Sequence, residues 1–189
     1  MSFSSISLCS KALVKIGAMP IASFVEESAE ARVANQLYDN VCRSLLASYP
    51  WRFALSQKKL NRLDETPVAD YRYAYQIPAD VLRIISAGTG LRGKGISYRV
   101  YQNQLHTDAD SVVLTYIARL NEAYFPDFFV EVLVNHLAVA FCLPLTESTN
   151  RLEYMTKLAA DSLRTAKLID SQQSVPSSFQ DFSLIEVRG

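Results

Sequence analysis

Residues 28–55 read SAEARVANQLYDNVCRSLLASYPWRFAL, and this stretch decides the fold. Ser28 is a residue type that caps helix N-termini, and apolar residues then recur at every fourth position. They are Val33, Leu37, Val41 and Leu45. Pro50 lacks the backbone N–H that a continuing helix needs, and it disfavours helical geometry at the preceding residue. The stretch therefore predicts a long helix with one broad apolar face, ended by Pro50.

Directly after Pro50, large apolar side chains stand at alternate positions, namely Trp51, Phe53 and Leu55. A period of two is typical of a strand, whereas a helix has a period of 3.6. We therefore expect Pro50, Trp51 and Phe53 to form a structural corner, at which the long helix gives way to a strand. Trp51 is the only tryptophan of the chain.

On both sides of this corner the sequence predicts further helices, separated by a β region. Residues 4–16 have helical spacing, and residues 53–120 have the alternation of about four to six short strands, with a hairpin at Gln102-Asn103. Pro126 is expected to open a buried helix that Pro144 ends. A last helix is expected from Asn150, with Glu153 as its capping-box partner, to about Asp170.

The predicted fold class is therefore α+β. We expect residues 1–171 to form a single domain, in which a four-helix body comes from residues 1–52 and 126–171. The inserted antiparallel β region comprises residues 53–120, and residues 172–189 form an extended C-terminal tail.

The tail carries five large apolar side chains, which are Phe179, Phe182, Leu184, Ile185 and Val187. Full burial of one such side chain stabilises a protein by about 1.5–3 kcal/mol, so a tail that is purely solvated would not be expected to carry five of them. Two interpretations stay open: the tail folds back on its own domain, or it docks on a neighbouring chain as a partner-docking segment.

Composition limits the classes of function. The 189 residues carry 19 basic and 19 acidic side chains, whereas a free-standing nucleic-acid binder usually has a basic surplus. Zero net charge suits a subunit that spends its life assembled. The three cysteines, Cys9, Cys42 and Cys142, are far apart in apolar patterns and are expected to be buried free thiols. Neither a signal peptide nor a membrane span is predicted.

The glycine-rich stretch at residues 88–95, GTGLRGKG, contains G-x-G-x-x-G and nearly spells a phosphate-binding loop. Both motifs need a helix immediately afterwards, but the residues that follow are strand-like. We therefore expect an exposed loop that presents Arg92 and Lys94. The two histidines, His106 and His136, and the cysteines lack metal-ligand spacing, so no catalytic residue, metal or cofactor is predicted.

Tyr71, Tyr73 and Tyr75 alternate along one predicted strand, with Arg72 between the first two. One interpretation is a stacking platform for single-stranded nucleic acid. The other is that the tyrosines pack one face of a sheet or belong to a wide protein interface, because an apolar ring with a polar tip suits both.

Three short motifs carry a resemblance to a known family. They are GAMPI at residues 17–21, SLLxxYPWRFA at residues 44–54 and YxIPxDVLRI at residues 75–84. With the order of helices and β region described above, residues 5–170 resemble the tail tubular protein A, or head–tail adaptor, family of short-tailed bacteriophages (podophages).

The resemblance implies a structural virion protein in the tail or neck of the particle, made in the cytoplasm of the bacterial host. The family forms a ring, or connector, of typically twelve subunits, a dodecamer, between the portal protein and the tail nozzle protein. Double-stranded DNA passes through its lumen during ejection without sequence-specific binding, and no membrane is involved. Tail fibres are a further candidate partner, and Arg92 and Lys94 are candidates for a loop that faces the lumen or the nozzle.

Two alternatives stay open. One is a nucleic-acid-binding module that uses Tyr71, Tyr73, Arg92 and Lys94. The other is a tail-completion protein, which would sit at a six-fold rather than a twelve-fold junction.

Overall fold

The structure is a computed structural model that describes residues 3–90 and 95–173. Within these residues the chain forms four α-helices and six strands, which confirms the predicted α+β class. The helices are α1 (Ser5–Lys15), α2 (Ala29–Ser48), α3 (Asp127–Thr146) and α4 (Thr149–Gln172). The strands are β1 (Leu55–Lys59), β2 (Tyr73–Gln76), β3 (Val81–Gly88), β4 (Tyr98–Tyr101), β5 (Gln104–Thr107) and β6 (Val113–Ala118).

Two sets of predicted residues lie outside the described residues. They are the loop residues Arg92 and Lys94 and the tail residues Phe179, Phe182, Leu184, Ile185 and Val187.

The first two helices each begin at a serine cap, and the cap of α2 is the predicted Ser28. Ser4 and Ser7 form a reciprocal capping box at the start of α1, and the Ser28 hydroxyl accepts a hydrogen bond from the Ala31 N–H at 3.1 Å at the start of α2. After α1, Gly17 takes the left-handed conformation (φ 77°) that favours glycine at a helix end.

Helix α3 is the centre of the helical body, because α1, α2 and α4 all pack against it. Half of its residues are buried, including Phe129, Leu133, Leu137 and Phe141, and its apolar surface extends around the whole helix. By length and composition α3 would also suit a membrane span, but more than half of its most apolar stretch is buried inside the protein.

The predicted junction between the last two helices is wrong in two details. Pro144 lies inside α3, which continues to Thr146 and ends at Glu147 with a left-handed backbone (φ 50°). A proline this close to the C-terminus costs few hydrogen bonds, and the Thr146 hydroxyl donates to the Cys142 carbonyl at 2.7 Å. Helix α4 is capped by Ser148 instead of Asn150, so Glu153 lies too late to form a capping box.

The β region consists of two antiparallel three-stranded sheets, ordered β1-β6-β3 and β2-β5-β4. The predicted hairpin at Gln102-Asn103 is confirmed, and it joins β4 to β5. Side chains from both sheets, among them Tyr75, Leu105 and Leu114, share a small hydrophobic core. The sheets therefore pack face to face around a core of their own.

Strand β6 links this small core to the helical body. Its side chains alternate between two faces, as they must in a strand. Leu114 and Tyr116 point into the β core, whereas Ile117 belongs to the core of the helices. One strand is therefore shared by both cores, which attaches the β region to the helical body.

The corner after α2 differs from the prediction. Arg52–Ala54 forms a short 3₁₀ turn, and the strand begins only at Leu55. The alternation of Trp51 and Phe53 was misleading, because the tight turn directs both rings toward α3.

The end of α4 is tied to this corner by Asp170. Its side chain is fully buried, and both carboxylate oxygens lie 3.1 Å from the backbone N of Arg52, which donates to them. Burial raises the pKa of Asp170, while the N–H and the positive charge of Arg52 act in the opposite direction. The contact joins residues 118 positions apart, so it fixes the last helix onto the centre of the body.

We expect Asp170→Ala to lower the free energy of unfolding by about 1–3 kcal/mol, because it removes a buried charged acceptor from the corner. Asp170→Asn should cost less, because it keeps an acceptor oxygen and removes the charge whose burial raises the pKa. Urea unfolding followed by circular dichroism measures both.

The matched control is Asp161→Ala on the same helix, where Asp161 forms only an exposed ion pair with Arg164 at 3.8 Å. We expect that change to cost less than about 0.5 kcal/mol. Equal effects of Asp161→Ala and Asp170→Ala would contradict the role of Asp170.

Candidate interaction surfaces

The predicted structural corner is the most densely packed aromatic region of the body. The Trp51 side chain is fully buried, and its indole N–H donates to the Leu45 carbonyl at 3.0 Å. Its ring lies edge-on to Tyr49 and Phe129, with centroids 4.9 and 5.2 Å away, and Phe53 packs on Phe129 at 4.8 Å. The residues of the YPWRFA motif therefore fix the helical body from inside.

The three tyrosines of the predicted stacking platform have three different environments. Tyr75 is buried in the β core, and its hydroxyl donates to the Ala109 carbonyl at 2.6 Å. The guanidinium of Arg62 lies over the ring of Tyr73, 3.8 Å from its centroid. Tyr71 precedes the strand that holds the other two. The three rings do not form one open aromatic face.

A separate polar cluster lies on the exposed side of the hairpin β4–β5. Arg99 is 3.4 Å from the carboxylate of Asp70, and the Tyr101 hydroxyl donates to the same carboxylate. The Tyr101 ring packs on His106 at 5.0 Å between centroids. Because Arg99 and Asp70 are exposed to water, their contact adds little stability.

A second joint between the β region and the helices is a polar network on α2. The Tyr38 hydroxyl and the Arg119 guanidinium both donate to Glu122, at 2.8 and 2.7 Å. Arg119 also pairs with Asp39 at 3.5 Å. Burial alone would raise the pKa of Glu122, but the hydrogen bonds from Arg119 and Tyr38 outweigh it, and the pKa is lowered.

The cysteines are free and buried, as predicted. Burial raises the pKa of the Cys9 thiol to about 12 and that of Cys42 to about 11, so both are protonated at neutral pH. A thiol in that state is a weak nucleophile and a poor metal ligand. Among residues 3–90 and 95–173, no three or more His, Cys, Asp or Glu side chains are grouped in a way that could hold a metal ion.

A concavity lies between α1 and α3 and is here called the α1/α3 groove. It has a volume of about 630 Å³ and is lined by Lys11, Val14, Lys15, Asp127, Val130 and Glu131, with Phe3 and Val134. Its floor is apolar and its charged residues form two rims, basic on α1 and acidic on α3. The Lys15 ammonium donates to the buried Asn135 side chain at 2.6 Å, which holds the basic rim in place.

A smaller groove of about 420 Å³ lies between α2, α3 and α4, lined by Val41, Leu45, Val139 and Leu163 and by His136. His136 is half-buried, and its Nδ1–H donates to the Val132 carbonyl one turn earlier at 2.9 Å. The histidine is therefore satisfied within its own helix.

No protein-family model matches this chain, and a search of curated proteins found no significant match.

Two sets of polar contacts were not predicted from the sequence, namely the bond of Asp170 to the corner and the network of Tyr38, Arg119 and Glu122. A signal for Asp170 was present, because it follows Ala159 and Ala166 on the apolar stripe of α4, where a charge needs a partner. The network had no such signal, since Tyr38 and Glu122 are 84 positions apart.

We expect Glu122→Gln to lower the free energy of unfolding by about 1–3 kcal/mol at pH 7, because it weakens two hydrogen bonds to a carboxylate. Folding lowers the pKa of Glu122 from its ordinary value of about 4.5, so this stabilisation is present above about pH 4.5 and is lost as pH falls through the folded-state pKa. Urea unfolding at pH 7 and pH 3 should show the gap between wild type and variant closing at the lower pH. The exposed Glu153→Gln is the control, and an unchanged gap at both pH values would refute the assignment.

Proposed function

We propose that this protein is a head–tail adaptor of a short-tailed bacteriophage. Copies of the chain would form a ring between the portal and the tail nozzle, as part of the channel through which DNA is ejected. The proposal rests on the resemblance carried by residues 17–21, 44–54 and 75–84. It places the chain in the virion, with no catalytic role and no cofactor.

The observation that supports a role in assembly is the apolar surface that the helical body of a single chain leaves exposed. The α1/α3 groove and the groove beside His136 are both open and lined mainly by apolar side chains. Further large apolar side chains stand exposed on or next to the helices, namely Met19, Val25, Tyr124, Tyr154 and Leu168. Such surfaces suit a subunit that is covered by neighbours.

The polar groups support the same role, because the most buried of them hold the fold together. Asp170 holds the corner, Glu122 and Arg119 join the β region to α2, and the thiols of Cys9 and Cys42 are protonated. A ring subunit needs a rigid body of this kind with a projecting element, and the two-sheet β region is suited to be that element.

DNA would pass through such a ring without tight binding. Balanced charge, 19 basic and 19 acidic side chains, avoids the strong phosphate contacts that would slow ejection. The alternative of a nucleic-acid-binding module loses part of its support, because Tyr75 is buried and Tyr73 is already covered by Arg62. A tail-completion protein remains the alternative within the same structural class.

Native mass spectrometry of the purified chain over a range of concentrations tests the proposal. We expect a closed ring whose mass is a multiple of the 21.1 kDa subunit, twelve subunits for an adaptor and six for a tail-completion protein. Removal of residues 174–189 should leave a folded monomer.

A chain that stays monomeric and binds a single-stranded oligonucleotide, with an affinity that falls steeply with salt concentration, would favour the nucleic-acid module and contradict the adaptor.

A further inference from the structure

We propose that the α1/α3 groove receives the C-terminal segment of a neighbouring copy, residues 179–187. The inference rests on the proposed ring and names the contact that closes it. A ring of identical chains joined head to tail needs two different, complementary surfaces on every copy. The groove is one of these surfaces, and the segment is the other.

The groove has the size and chemistry of a peptide-binding site. Its volume of about 630 Å³ falls in the range of clefts that bind ligands, roughly 300–1,000 Å³. Val14 on its wall is 59% exposed. Val130 and Val134 continue the apolar floor along α3. An apolar segment that fills this groove would remove the exposed Val14 side chain from water, whereas Val130 and Val134 are already almost fully buried.

The charges on the rims match those of the segment. The basic rim has Lys11 and Lys15 one helical turn apart, and the acidic rim has Asp127 and Glu131 at the same spacing. Within the described part of the chain, Lys11 makes no ion pair, and its ammonium lies over the Phe3 ring.

The segment reads FQDFSLIEV and is followed by Arg188. Two carboxylates, Asp181 and Glu186, stand among its apolar residues and suit the basic rim. Arg188 suits the acidic rim. The segment therefore offers apolar side chains for the floor and charges of the right sign for each rim.

The place where the segment leaves the body also fits. Helix α4 ends at Gln172, and Asp170 ties that end to Arg52, next to the Trp51 corner. Trp51 packs on Phe129 in the first turns of α3, the same part of α3 that lines the groove. The end of α4, from which the C-terminal segment continues, and the groove therefore lie toward the same end of the helical body. The five residues 174–178 can span at most about 18 Å, enough to reach a copy packed directly alongside.

A two-component cross-linking experiment tests the contact between copies. The first component lacks residues 174–189 and carries the photo-crosslinker p-benzoylphenylalanine in place of Val14. The second is the full chain without the probe, and the two are co-expressed with different tags. Because the probe-bearing chain has no tail, any cross-link to residues 174–189 must come from another copy. We expect such cross-links, identified by mass spectrometry.

The matched control places the probe at Val68, a fully exposed valine in the β region, where no cross-link to the tail is expected. A full chain with the probe at Val14, irradiated as a diluted monomer, detects docking of a chain's own tail. Cross-links to the tail in that sample but not in the mixed sample would overturn the inference, as would a mixed sample without tail cross-links.

A second measurement separates this inference from the adaptor proposal. We expect Val14→Asp to raise the concentration needed for half-assembly at least about tenfold, a shift of the size that one central interface residue produces. Val68→Asp should leave it unchanged. If the wild-type chain forms a ring that Val14→Asp does not weaken, the groove inference fails and the adaptor proposal stands. If the wild-type chain forms no ring, both fail.

Discussion

The burial of Trp51 between the end of α2 and the beginning of α3 is the constraint on which the rest of the structure depends. The indole is fully buried, and its N–H is satisfied by the Leu45 carbonyl. Pro50 ends the helix immediately before it, and a 3₁₀ turn immediately after it redirects the chain into β1. Asp170 then holds the far end of α4 against the same turn. Three of the four described helices therefore meet at this corner.

The β region depends on that corner in turn. Strand β1 starts at the corner and pairs with β6. In β6, Ile117 lies in the core of the helices, whereas Leu114 and Tyr116 lie in the β core. The contact of Glu122 with Tyr38 then returns the chain to α2 just before α3 begins. The β region is therefore joined to the body at both its start and its end.

The helices and the cap of α2 could be predicted because their signals are local. Ser28 and the four-residue spacing behind it specify α2, and the turn at Gln102-Asn103 specifies its hairpin. The errors came from local signals that packing overrides. The alternation of Trp51 and Phe53 indicates a strand, but both rings pack against α3. Pro144 indicates the end of a helix, but α3 continues for two residues beyond it.

The sequence does not predict which distant polar groups pair, or how the six strands are divided between two sheets. Asp170 meets Arg52, and Glu122 meets Tyr38, only after the helices have packed. The two sheets share one hydrophobic core, yet nothing in the alternation of single strands says which strand belongs to which sheet. The surfaces are likewise a product of the fold: the α1/α3 groove exists because α1 covers α3 only in part.

The proposed adaptor acts through the surfaces of a rigid helical body, which fit between other rings. Electron cryo-microscopy of phage particles that carry this chain, averaged about the tail axis, tests it most directly. The account predicts a ring of copies between portal and tail nozzle, with the described helical body fitting each copy unchanged. A junction without the chain, or one in which α1 to α4 must be rearranged to fit, would contradict it.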